Sequence, residues 1–206
     1  MQRAIEKFRL NIKSVKELDS LYTLLIKNYP LLEEQAGDIL RAEVVLAVSA
    51  LDCFIHDLVK QGMVETYQGI RTPSKQFEGY QIPVKFLKLI ENTDNVEEKS
   101  AYLENAIKEI NSKDSYQSPK NIDYILQYIN ITKIWQKVSD LMEIKAEDIR
   151  NELSLIIDRR NKIAHEADYD TLGFKAPIEQ QNINDIVQFI AKFCESIYQI
   201  AQTNIT

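Results

Sequence analysis

The sequence predicts a nearly all-α protein, and three observations lead there. Glycine and proline are scarce, at five each in 206 residues, so few positions interrupt a helix. Apolar residues recur at spacings of three and four along most of the chain, the period of one helical face. Between the periodic stretches lie short polar or Gly/Pro-bearing segments of the kind that turn a chain from one helix to the next. The length supports one hydrophobic core, so residues 1–206 read as a single helical domain with inserted short helices and loops.

The first helix is expected over residues 3–27, where Ile5, Phe8, Ile12, Val15, Leu18, Tyr22 and Leu25 make one stripe. Asn28-Tyr29-Pro30 ends it, because proline disfavours a helical residue before it. The second helix is expected over residues 37–62, with Leu40, Val44, Val48, Leu51, Ile55 and Leu58 inward and Gly62 as its stop. Residues 66–83, carrying Gly69, Pro73, Gly79 and Pro83, read as a long loop. Short helices follow at Val84–Glu91 and Val96–Asn111. After a polar turn over 112–119 come a helix over 119–129, with Pro119 in its first turn, and one over Ile134–Met142 that carries the sole tryptophan, Trp135. A helix over residues 146–167, a loop over 168–177 and a last helix over 178–203 complete the chain.

Composition narrows the function. Hydrophobic content of 45% and charged content of 27% are those of a soluble globular protein. No apolar run is long enough to span a bilayer, and the N-terminus is amphipathic with no signal-peptide core, so a cytoplasmic protein without membrane association is expected. A net charge of −6 does not suit a general nucleic-acid coat, but it leaves room for a small basic site, and Arg159, Arg160 and Lys162 form the clearest basic cluster. Cys53 and Cys194 sit in apolar runs and read as small buried hydrophobes. The cysteines and histidines have no zinc spacing, the acidic residues form no obvious metal-binding arrangement, and no phosphate-binding glycine loop or serine elbow is present, so neither metal nor cofactor is expected. The ten tyrosines are scattered and suggest no base-stacking platform.

The most informative stretch is Asp158-Arg159-Arg160-Asn161-Lys162-Ile163-Ala164-His165-Glu166. At ~100° per residue, Ile149, Leu153, Ile156, Ile163 and Ala167 fall in a narrow sector with Arg160 in its middle. A charge on an apolar face needs a partner or an anionic ligand, since an unpaired buried charge is very costly. An internal salt bridge between helices and a ligand site weigh about equally on this pattern. His165 lies ~140° around the helix from Arg160 and shares its face with Asn161, one turn before it, so Asn161 is placed to orient His165 or a phosphate. Guanidinium, amide and imidazole together suit phosphate chemistry: Arg offers a rigid fork of donors and His moves protons near neutral pH. On the second helix, Ser49, Asp52 and His56 follow helical spacing. Asp52 is a secondary candidate, as a partner for Arg160 if the two helices pack. His56 reads first as an ordinary helix-surface imidazole paired with Asp52.

These residues resemble a known family. Arg160-Asn161-Lys162-Ile163-Ala164-His165 is similar to the Arg-x(4–6)-His motif of the HEPN superfamily (higher eukaryotes and prokaryotes nucleotide-binding), with its favoured polar residue after the arginine. Residues 40–57, from Leu40-Arg41-Ala42 to His56-Asp57, resemble the second-helix signature of the RiboL-PSP-type HEPN branch. Tyr116-Gln117-Ser118-Pro119-Lys120-Asn121-Ile122 followed by Ile134-Trp135 resembles that branch's middle segment. The three stretches, in this order, cover about residues 37–170. The resemblance implies an α-helical bundle that forms a two-fold dimer, with the motifs of two protomers meeting in one cleft. It also implies a metal-independent endoribonuclease used as a toxin or in defence against phage, with an antitoxin or defence-operon partner. Some members are inactive binding modules. The chain departs from those HEPN toxins that carry a tyrosine two residues after the histidine for adenylylation: that position is Ala167, and the nearest tyrosine is Tyr169.

The expected chemistry is cleavage of RNA by its own 2′-hydroxyl, with His165 as general base or acid, Arg160 stabilising charge on the phosphoryl oxygens and Asn161 orienting. Arg159, Lys162, Asp52 and His56 are secondary candidates. Two alternatives stand beside this: a non-catalytic RNA- or nucleotide-binding module, and a purely structural helical dimer in which Arg160 is saturated by a carboxylate.

Overall fold

The computed structural model describes residues 1–169 and 173–203. Nine α-helices account for the architecture of these residues: α1 (Gln2–Asn28), α2 (Glu33–Tyr67), α3 (Lys75–Glu78), α4 (Val84–Glu91), α5 (Val96–Asn111), α6 (Pro119–Leu126), α7 (Ile134–Met142), α8 (Ala146–Glu166) and α9 (Gln180–Gln202). Among the described residues the only extended pairing is an isolated bridge between Tyr169 and Lys175, and no helix is long and apolar enough to cross a membrane.

The central element is α2. It packs along α1, to which a single 3₁₀ turn at Pro30–Leu32 joins it, and it also contacts α5, α6, α8 and α9. A helix with neighbours on so many sides must be apolar around much of its circumference. The wall of Leu40, Val44, Ala47, Val48, Leu51, Phe54, Ile55, Leu58 and Val59, each at most 1% exposed, meets that demand. From α1 come Ile5, Phe8, Ile12 and Val15, and from α9 Val187, Ile190, Phe193 and Ile197, all buried.

The second helix differs from its sequence reading at its end. It does not stop at Gly62 but continues to Tyr67, with Met63 and Thr66 buried. The reason is packing. A Cβ on Gly62 would stand 2.6 Å from Ile129 Cγ2, so the glycine here permits close approach inside a helix. The 66–83 loop contains α3, capped by Ser74, whose Oγ accepts from Phe77 N at 3.0 Å. The helix read over 119–129 ends as α-helix at Leu126 and closes in a 3₁₀ turn over Gln127–Ile129. The tyrosines are less scattered in space than in sequence: Tyr128 packs edge-on against Tyr80 and Tyr124, at ring-centre distances of 5.5 and 5.6 Å. Cys194 is buried as expected, but Cys53 is exposed. It lies ~200° around α2 from core residue Leu51 and so points away from the core.

One core position is polar without compensation. Glu43 is fully buried on α2, and neither carboxylate oxygen has a hydrogen-bond partner. Burial first, and then the negative charge of Asp19 on α1, push its carboxyl up to about 7 from an ordinary 4.5. A carboxyl whose folded value is raised binds its proton more tightly in the native state. Stability therefore falls as pH rises from about 4.5 to about 7 and is flat beyond.

Two stability measurements check this packing. Gly62→Ala should cost about 1–3 kcal/mol through overpacking, read as a lower urea midpoint. Glu43→Gln, which keeps the shape and removes the charge, should raise stability at pH 8 by about 1–3 kcal/mol. It should also flatten the decline between pH 5 and 7; an unchanged pH profile would count against a buried protonated Glu43.

Candidate functional site

The motif helix is α8, Ala146–Glu166. Ile149, Leu153, Ile156 and Ile157 bury its inner face against the core. It ends at Ala167 in the left-handed conformation (φ 51°), followed by a second left-handed residue, Asp168 (φ 63°). Asparagine and aspartate tolerate this region through local hydrogen bonding, and Asp168 is held there from several sides. Its N–H donates to Lys162 O at 3.2 Å, and its carbonyl accepts from Ala176 N at 2.8 Å.

The Asp168 side chain, 1% exposed, is the hub of the region. Arg159 approaches from α8 with a two-pronged contact, Nη1 to Oδ1 at 2.5 Å and Nη2 to Oδ2 at 2.8 Å. Arg41 approaches from α2, Nε to Oδ2 at 2.8 Å, and its Nη2 donates to Ala176 O at 2.6 Å. Arg159 Nη2 also reaches Pro177 O at 3.2 Å. One buried carboxylate thus ties the end of the motif helix, the following segment and the central helix together. Gly37, one turn before Arg41, makes room: a Cβ there would stand 3.0 Å from Arg41 Nη1. Neither Arg41 nor Asp168 emerges from the motif itself. The available signal was Arg41, which with Glu43 interrupts the otherwise apolar run from Leu40 to Val48, and an acid just beyond the histidine.

The salt bridge weighed for Arg160 therefore belongs to Arg159. Arg160 is half-buried, as its place on the inner face predicts. Its Nη1 donates to Asn161 Oδ1 at 3.1 Å. Its Nε is buried without a hydrogen-bond partner, and no carboxylate oxygen among the described residues lies within salt-bridge distance of it. The expected Asp52–Arg160 pair does not form. Asp52 Oδ1 instead accepts from Tyr116 N at 2.6 Å and Ser115 Oγ at 3.2 Å, because the segment before α6 crosses α2 there and supplies unspent donors. His56 Nε2 stands 3.9 Å from Asp52 Oδ2, and its ring lies 4.4 Å from that of Tyr116. Asp52 and His56 so belong to a structural corner around Tyr116.

Asn161 spends its amide oxygen on Arg160, so it orients the guanidinium. His165 is exposed in the last turn of α8, with no hydrogen bond to its ring among the described residues, and Lys162 is exposed beside it. The site is a surface one: a partly sunken guanidinium braced by an amide, an open imidazole and a nearby ammonium, on a helix end fixed from behind by Asp168. Residues 170–172 of the adjoining loop lie outside the described residues.

A helical domain of this build, with an Arg-x4-His motif on a helix packed against a long central one, defines a HEPN-type protein. The chain belongs to the RiboL-PSP-HEPN family, whose model matches residues 9–203. No curated protein and no solved structure matches it.

The two adjacent arginines should separate in a stability experiment. Asp168→Ala strips a buried carboxylate from two guanidinium groups and should cost about 3–5 kcal/mol. Arg160→Ala breaks no ion pair and should cost under about 1.5 kcal/mol. Equal losses in chemical denaturation would contradict the division of labour between Arg159 and Arg160.

Proposed function

We propose that this protein is a metal-independent endoribonuclease of HEPN type, acting as a toxin or anti-phage defence effector in the cytoplasm. The observation that carries the reading is the state of Arg160. A guanidinium on the inner helix face is braced by Asn161 and leaves a buried Nε without an acceptor, while its neighbour Arg159 takes the structural carboxylate. A buried cationic donor without a partner costs stability, and a phosphoryl oxygen of RNA supplies the missing acceptor with matching charge.

The reaction follows from RNA's own chemistry. The 2′-hydroxyl attacks the adjacent phosphorus, and the 5′-oxygen leaves. His165 takes the proton from the 2′-oxygen or gives one to the leaving oxygen. Arg160 holds the non-bridging oxygens as their charge grows, Asn161 keeps Arg160 in position, and Lys162 and Arg159 add positive potential near the strand. The products are a 2′,3′-cyclic phosphate and a 5′-hydroxyl. DNA, lacking the nucleophile, is not cut. A two-fold dimer would bring a second Arg160 and His165 to the same strand, and an antitoxin or defence-operon partner would restrain it.

A second reading, a non-catalytic RNA-binding module, draws on the net charge of −6 and on an exposed His165 ring with no positioning hydrogen bond among the described residues. The deciding assay is RNA cleavage in EDTA. Wild type should release cyclic-phosphate ends. His165→Ala should lower the rate by about 10²–10⁴ and Arg160→Ala by about 10²–10³, with both variants still folded. Binding of RNA without turnover by the wild type would favour the module, and cleavage of DNA would sink the 2′-hydroxyl mechanism.

A further inference from the structure

Two cavities, of about 190 and about 470 Å³, lie where the end of α1, the start of α2 and the segment that returns the chain to α9 meet. Tyr22, Glu33 and Ile178 line both, so the two run together as one groove, and neither Arg160 nor His165 lines it. Its floor is apolar, with Ile26 and Ile178 half-buried. The lip beside it is apolar too. Leu24 follows Thr23 in the chain and Leu32 precedes Glu33, both of them lining residues. With Tyr29 and Leu31 these leucines are exposed, Leu31 at 96%. A single exposed leucine is ordinary on a protein surface, but an apolar patch beside a groove with a polar rim marks a place where another molecule sits.

The free charge on the rim is mostly of one sign. Glu33, Glu34 and Glu179 line the groove and are exposed, and no cation among the described residues lies within salt-bridge distance of them. Of the lining cations, Lys175 is spent on Asp38 at 2.7 Å and Arg41 on Asp168 at 2.8 Å. That leaves Lys27 against three carboxylates. Tyr22 adds a polar group. It is 8% exposed, and its hydroxyl makes no hydrogen bond among the described residues. Burial first, and then the charges of Glu33 and Asp19, hold that hydroxyl above its ordinary value, so it stays a donor at neutral pH. A tyrosine hydroxyl set this deep usually finds an acceptor, and the carbonyl of a peptide laid in the groove is one.

Charge decides among occupants. RNA and anionic lipid carry phosphates that the three carboxylates repel. A polypeptide segment meets every feature if it lays apolar side chains over Ile26, Ile178 and the leucines and brings Lys or Arg to the rim. We propose that this groove is the docking site of a partner protein, which enters it with an apolar segment flanked by Lys or Arg. The groove is separate from the Arg160–His165 surface, and its role does not depend on that surface being catalytic.

The probe is a phage-displayed library of short random peptides, selected against the whole protein, with the enriched sequences then synthesised and their Kd measured. Enriched peptides should combine apolar residues with Lys or Arg. Glu33→Gln with Glu34→Gln, which keeps the side-chain shapes, should weaken their binding about tenfold at low salt. Leu31→Asp, at an almost fully exposed position, should weaken it as well. Tyr22→Phe should weaken it about fivefold through one lost hydrogen bond and leave the thermal midpoint unchanged, since the hydroxyl has no partner within the described residues. The assignment is overturned if no peptide is enriched, if the enriched peptides are acidic, or if they bind all three variants as tightly as wild type. Displacement of the peptides by an RNA oligonucleotide or by phosphatidylserine vesicles would overturn it in favour of those occupants. A change of oligomeric state in the Glu33→Gln, Glu34→Gln variant, read by sedimentation, would overturn it in favour of a second copy of this chain.

Discussion

The Asp168 carboxylate, clamped between Arg41 and Arg159, is the contact on which the rest of the region depends. It joins three segments distant in sequence: the start of the central helix, the last turns of the motif helix and the strap that returns the chain to α9. Buried ion pairs are poor sources of net stability, because desolvation offsets attraction. Their value is geometric. With one carboxylate shared by two guanidinium groups, any shift of α8 against α2 breaks the contact to one of them, although Arg41 keeps a second acid, Asp38, whose Oδ1 lies 3.4 Å from its Nη1. That is the constraint a surface site needs if its side chains are to stand in a fixed relation to one another.

The clamp also explains why two adjacent arginines differ. Neighbours on a helix are separated by ~100°, so Arg159 and Arg160 cannot serve the same partner from the same direction. Arg159 faces the returning strap and takes the carboxylate. Arg160 enters the inner face, where α8 offers Ile156, Ile157 and Leu153 and no acid. The first arginine anchors the helix end that positions the second. The two left-handed residues at Ala167 and Asp168 belong to the same device, since they turn the chain sharply enough to return the Asp168 side chain to its own helix.

The central helix shows a different economy. Its inward faces are almost wholly aliphatic, yet Glu43 lies among them with both oxygens unpartnered. Outside the core sector, Cys53, His56, Asp57 and Lys60 gather on one face over a cavity with α5. One 35-residue helix thus serves as the core of the bundle, as an anchor of the motif helix through Arg41, and as a wall of a separate cavity against α1 and α5. These roles fall on different faces of one rigid rod and so do not compete.

Much was legible in the sequence alone. The order and type of the long helices, the inner face of α8 and the place of Arg160 on it follow from a 3.6-residue period, a local property of the chain. The family follows from the motif and its flanking stretches. Partner choice was not legible, because it depends on which segments cross. Asp52 lies at helical spacing from His56 but is claimed by the backbone of Tyr116, more than sixty residues away. Gly62 has the composition of a helix stop but serves as a packing gap, since Ile129 approaches it from elsewhere in the chain. Cys53 sits in an apolar run but on the outward side of its helix. Periodicity tells which face of a helix is buried; only the tertiary fold decides what lies against that face, and so which of two neighbouring arginines is left without a carboxylate.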